Sequence, residues 1–223
     1  MSDSSELTPA EARVLGCLIE KEITTPEYYP MTLNAVVAAS NQRSNRDPVV
    51  EWDDAVVEAA LDGLRRKRLA VMIHLSGSRV PKYKHALDAV YGSLDPAMVA
   101  VLCELLVRNF QSPAELRTRT ERLQTIQDPA GLEATVQRLA NYGSGGPLVT
   151  ILPSGGGRRV RTIAHLLSGP VDEAASHALP VLVSAIIPPP ADWKAEMEAG
   201  IAAIKAEVAS LRETVDRLKV LLD

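Results

Sequence analysis

Apolar positions recur with helical spacing in two stretches of the chain, and each stretch opens in the same way. Leu7-Thr8-Pro9 precedes a run in which Val14, Leu15, Leu18 and Ile19 follow a helical period, and Leu94-Asp95-Pro96 precedes one carrying Val99, Leu102, Leu105 and Leu106. Thr8 is a good N-cap, Pro9 suits the first helical position because no N–H is needed there, and Glu11 completes a capping box. This helix is expected to end near Ile23, ahead of Thr24-Thr25-Pro26. Thr32 caps a second helix through Leu33, Val36 and Val37, and Asp53 or Asp54 caps a third that reaches about Arg68. In the later stretch Ser112-Pro113 with Glu115, and Asp128-Pro129, open the corresponding helices.

After each third helix the pattern becomes strand-like. Residues 71–75 and 80–83 flank Ser76-Gly77-Ser78, and residues 148–152 and 159–163 flank Ser154-Gly155-Gly156-Gly157. Helix, helix, helix, hairpin therefore occurs twice. We read the chain as mainly α with small β-hairpin wings (α+β), built from two tandem winged-helix domains, residues 1–90 and 91–168, each with its own aliphatic core. Leu7 to Leu94 is 87 positions and Val57 to Leu132 is 75, so the first unit carries 12 extra residues, near 24–29 and 42–52. Added loop length is where a particular function concentrates. Gly63 interrupts the third helix at a cost of about 1 kcal/mol relative to Ala, for which close helix packing is the expected reason.

Residues 169–191 read as a Pro-rich linker with Pro188-Pro189-Pro190 as a stiff end. From Asp192 the period becomes a heptad, with Met197, Ile201, Ile204, Val208, Leu211, Val215, Leu218 and Leu222 alternately four and three apart. Mostly β-branched residues at a (Ile201, Val208, Val215, Leu222) with Leu, Ile or Met at d favour two parallel strands, and Glu207 can pair with Arg212 between chains. Residues 192–223 are thus predicted to be a coiled-coil dimerisation helix that makes a parallel homodimer. The alternative is a helix packed on its own second domain, for which so narrow a seam is ill suited.

Aromatic residues make up only 4% of the chain, so its cores must be aliphatic. The net charge is −4, distributed as −2 over residues 1–90, +2 over 91–170 and −4 over 171–223. No segment attracts phosphate strongly. Cys17 and Cys103 lie in apolar helical runs, where thiols are inert, and two lone cysteines suit a reducing cytoplasm. Residues 1–6 lack the basic and apolar regions of a signal peptide. The longest apolar stretch, residues 179–187, is far short of the roughly 20 residues of a membrane span. A cytoplasmic protein with no membrane partner is expected.

His74, His85, His165 and His177 show no metal-ligand spacing, although His74 and His85 could face each other across a hairpin. The glycine clusters lack the Lys-Ser/Thr of a phosphate loop. These patterns point to no catalytic residue, cofactor or metal, and to a binding protein rather than an enzyme. The candidate nucleic-acid contacts are Arg43 and Arg46 in the inserted loop, Arg79, Lys82 and Lys84 on the first wing, and Arg158, Arg159 and Arg161 on the second. Against them, the third helix opens with Asp53, Asp54 and Glu58 and continues to Asp62, and carboxylates there repel phosphate. The expected function is that of a DNA-binding, transcription-related dimer with contacts led by the phosphate backbone; the alternative is a protein–protein adaptor of the kind tandem winged helices form in chromosome-condensing complexes.

The wording of the first unit is more specific than its pattern. Leu7-Thr8-Pro9-Ala10-Glu11-Ala12-Arg13-Val14-Leu15, Thr25-Pro26-Glu27-Tyr28-Tyr29-Pro30, Ser44-Asn45-Arg46-Asp47-Pro48 and Val80-Pro81-Lys82-Tyr83-Lys84-His85 resemble the YceH-like family of bacterial proteins. Pro113-Ala114-Glu115-Leu116-Arg117-Thr118-Arg119 extends the resemblance into the second unit, over roughly residues 7–167 in all. It implies two winged helices, often followed by a helical tail, and no enzyme activity.

Overall fold

The computed structural model describes residues 6–74, 80–92, 94–143, 146–154 and 160–171, all within one compact unit, Met1–His177. The expected dimerisation residues Met197, Ile201, Ile204, Val208, Leu211, Val215, Leu218 and Leu222 lie outside them, as do the linker residues from 172 onward.

The first half runs α1 (Pro9–Thr24), a 3-10 turn at Pro26–Tyr28, α2 (Leu33–Ser40), α3 (Asp54–Arg66), β1 (Ala70–Ile73), β2 (Lys82–His85) and α4 (Leu87–Tyr91). The second runs α5 (Pro96–Arg108), α6 (Pro113–Thr120), α7 (Pro129–Ala140), β3 (Val149–Leu152) and β4 (Thr162–His165). The fold class is mixed: helices carry the mass and each half contains a two-stranded antiparallel sheet. The caps read from the sequence set the helix starts. The side chains of Thr8, Thr32, Asp53, Asp95, Ser112 and Asp128 each accept from a backbone N–H of the first turn, and Thr8–Glu11 and Ser112–Glu115 close complete capping boxes.

The second strand of each hairpin falls later than its expected position, at 82–85 rather than 80–83 and at 162–165 rather than 159–163. Burial explains the displacement. Tyr83 is buried while its neighbours Lys82 and Lys84 face outward, and its backbone exchanges two hydrogen bonds with Met31, just ahead of α2. Gln111 and Ile163 form the equivalent bridge ahead of α6. Each hairpin is therefore held in register by a third segment. The short α4 lacks a side-chain cap and was not evident from the sequence.

One continuous apolar core replaces the two separate cores expected. Its centre is the crossing of α1 and α5, where Val14, Leu15, Cys17, Leu18, Ala100, Val101, Leu102 and Cys103 are all fully buried. Gly16 makes this crossing possible: a Cβ there would lie 2.7 Å from Val107 Cγ1 and 2.9 Å from Leu106 Cβ. Cys103 Sγ donates to the Gly16 carbonyl at 3.4 Å. Gly63 has a similar reason, since a Cβ there would lie 1.9 Å from Oε1 of Glu11, the carboxylate that also meets Lys67 Nζ at 2.7 Å. Gly16→Ala is expected to lower stability by about 1–3 kcal/mol through overpacking, despite the helix-propensity gain, as a lower urea midpoint would report.

Candidate functional site

The seam between the halves holds an alternating chain of charges. Glu20 from α1 and Glu104 from α5 are 1% and 0% exposed. Arg46 brings both terminal nitrogens to Glu20, at 3.2 and 2.5 Å, and gives its Nε–H to the Ala39 carbonyl at 2.9 Å. Arg122, between α6 and α7, bridges the carboxylates, with Nη1 2.5 Å from Glu20 Oε1 and Nη2 2.6 Å from Glu104 Oε1. Arg108 Nε faces Glu104 Oε2 at 3.3 Å as an ion pair without hydrogen-bond alignment, and its Nη2 donates to Asn45 Oδ1 at 2.5 Å. The two carboxylates respond differently. Burial alone would raise the Glu20 pKa, but the bonds and charges of Arg46 and Arg122 outweigh it and hold that carboxyl below its usual value. Around Glu104 burial prevails over Arg122 and Arg108, and the pKa is raised.

Beside this chain a cleft of about 270 Å³ opens between the start of α1, the loop at 47–52, the end of α5 and the segment after β4. Arg13 lines it, donating from Nη1 to the Ser40 carbonyl at 3.2 Å and from Nη2 to the Pro48 carbonyl at 2.7 Å, with its guanidinium 5.9 Å from the Trp52 ring centroid. Asn41 fixes the Trp52 backbone, accepting from its N–H and donating to its carbonyl. Leu106 and Phe110 contribute apolar lining, Asp47 is an exposed lining residue, and His165 is only 9% exposed, with Nδ1 lacking a partner. Burial drives the His165 pKa down to about 4, so the ring is neutral at pH 7.

The predicted nucleic-acid residues that are described differ in their surroundings. Arg46 is interior, with all three guanidinium nitrogens bonded to protein, so its expected role as a phosphate contact gives way to bracing the inserted loop against α1. Arg161 is exposed but paired with Glu133 of α7. Arg43 and Lys84 are exposed and Lys82 is partly so; Arg79, Arg158 and Arg159 lie outside the described residues. His85 pairs across its hairpin with Ala70 rather than His74, and its Nε2 lies 2.5 Å from Glu22 Oε2. Cys17 and Cys103 are buried free thiols whose pKa burial raises, as inert core thiols require. Among the described residues no helix is long and apolar enough to cross a membrane.

A family profile described as "protein of unknown function, DUF480" matches residues 7–158. The chain is 47% identical to a UPF0502 protein of Pelobacter propionicus and 45% identical to one of Geotalea uraniireducens, in both cases over 96% of each chain. It is 42% identical to a UPF0502 protein of Aeromonas hydrophila, over 96% of this chain and 98% of that one. The chain belongs to the UPF0502 (DUF480) family. The YceH-like resemblance read from residues 7–167 pointed to the same bacterial group.

In this UPF0502 protein the inserted loop is tied down from within by Arg46, while its neighbours at 43–45 and 47–49 stay exposed. Arg13, Asn45, Arg46 and Asp47 tie it to α1 and to the end of α5, and the Asp47 N–H bonds the Val107 carbonyl at 3.1 Å. The signal that could have revealed the seam is Glu104, a charged residue inside Cys103-Glu104-Leu105-Leu106, which needs a buried partner of opposite charge.

Arg46→Ala is expected to leave Glu20 short of a partner and to lower stability by about 3–5 kcal/mol, measurable by thermal or urea unfolding. His165 sets a pH dependence. The unfolded chain takes up its proton near pH 6.5, whereas the folded chain refuses it until about pH 4. This contribution is fully present above pH 6.5 and is lost as pH falls towards 4, by about 3 kcal/mol in all. His165→Gln should flatten the slope of stability against pH in that window.

Proposed function

We propose that the two halves are winged helices joined into one rigid unit and that this unit is a protein–protein adaptor. The helix-helix-helix-hairpin order and the bridges Met31–Tyr83 and Gln111–Ile163 support the winged-helix reading. One observation carries the adaptor reading: α3, in the place of a recognition helix, exposes Asp53, Asp54, Glu58 and Asp62 to solvent. Of these, Asp62 is paired, with Arg65 one turn on. An acidic surface at the groove-facing end opposes a phosphate backbone and suits a basic segment of another protein. On α7 the charges are already paired within the chain, Arg138 with Asp95 and Glu133 with Arg161.

The backbone-led DNA reading draws on the outward-facing Arg43, Lys82 and Lys84, and on Arg117, exposed on α6. With Arg46 interior and Arg161 paired, it has fewer free charges for the contacts on which nonspecific affinity depends.

Two measurements separate the readings. Anisotropy of a labelled random duplex should stay flat at about 10 µM protein in about 50 mM salt. A photocrosslinking residue at the exposed Ala59 position should capture one protein partner in cells, and Glu58→Lys with Asp62→Lys should abolish that capture. A salt-sensitive duplex shift with no crosslinked partner would overturn the adaptor reading in favour of DNA.

A further inference from the structure

The cleft beside the seam holds a buried cation that, among the described residues, makes no ion pair. Arg13 is 4% exposed, yet among the described residues no carboxylate lies within ion-pair distance of its guanidinium. Its hydrogen bonds go to two neutral carbonyl oxygens, and Nε has no partner. A guanidinium has five N–H groups to place, and carbonyl dipoles, an aromatic ring and the carboxylates of Asp47 and Glu20 beyond ion-pair distance leave this buried cation incompletely neutralised. Every other buried or half-buried arginine of the seam meets a carboxylate: Arg46 and Arg122 at Glu20, Arg108 at Glu104. Arg13 is the exception, and it alone of the four lines the cleft.

The rest of the lining fixes the chemistry of what would complete it. Trp52, Phe110, Val50 and Leu106 supply apolar surface, and His165, whose own Nδ1 is buried without a partner, belongs to the same lining. The Asp47 carboxylate also lines the cleft and adds one negative charge, which disfavours a dianion. A volume of about 270 Å³ is at the lower end of small-molecule pockets and suits about ten non-hydrogen atoms.

We propose that this cleft binds a small aromatic monocarboxylate, its anion neutralising Arg13 and its ring against Trp52 and Phe110. The ligand would touch α1 and the inserted loop from the first half, and α5 and the end of β4 from the second. Its binding would therefore stabilise the seam itself. This inference stands apart from the adaptor reading, because the acidic face of α3 is not part of the cleft lining.

The test uses the full chain with benzoate as probe and benzamide as its neutral isostere, followed by titration calorimetry and by Trp52 fluorescence in a Trp193→Phe background. Benzoate should bind with Kd of about 1 mM or tighter and raise the melting temperature, while benzamide binds at least about tenfold more weakly. Arg13→Met should remove the preference for the charged probe. Because that change could unfold the chain, Val50→Trp, which fills the cleft and leaves Arg13 in place, should abolish benzoate binding in a protein of normal melting temperature. Equal affinity for the two probes, no binding of either, or benzoate binding that survives Val50→Trp would each overturn the proposal.

Discussion

The structure depends on how closely α1 and α5 approach. Gly16 leaves no room between its backbone and the side chains of Leu106 and Val107, so the helices meet along fully buried faces. At so close an approach a carboxylate on either helix is cut off from water and must be neutralised by the protein. Glu20 and Glu104 both occur there, and the chain supplies Arg46 from one half, Arg122 and Arg108 from the other, to meet them. The ion chain is best understood as specificity rather than net stability. Buried pairs gain little over apolar packing, but a mispaired one is costly, so only one mutual placement of the halves satisfies all five groups.

That constraint reorganises the functional question. Independent winged helices on a tether would sample many mutual orientations, and each could bind its own target. Two halves sharing one core hold α3 and α7 in a fixed relation. On the adaptor reading proposed above, a partner would match that fixed relation, as a shaped protein surface can.

Much of the fold was legible because its determinants are local. Each helix start is marked by a capping residue within three positions of the N–H it satisfies, and the repeat of Leu-Thr-Pro as Leu-Asp-Pro exposed the duplication. The strand positions slipped because Met31, far from Tyr83 in sequence, decides which residues the hairpin buries. Arg46 was misread for the same kind of reason. Its neighbours Arg43, Ser44 and Asn45 look like a solvent loop, and the carboxylate that draws it inward lies 26 positions away on α1. The single core was also hidden, since an apolar helix face does not reveal whether it will meet its own half or the other.

The Leu7 N–H bonds the Leu167 carbonyl at 2.7 Å, so the chain enters and leaves the described fold at nearly the same point. Topologically the unit is a closed ring, and its natural opening is only one of several available. A circular permutant joined across this contact would keep every core residue, and the connection between the halves, ahead of Leu94, could serve as the new ends. Proximity of the ends also means that whatever pulls on the chain beyond Leu167 acts directly on the first residues of α1. Leu167 and the capping box at Thr8 are thus mechanical neighbours, although they lie far apart in sequence.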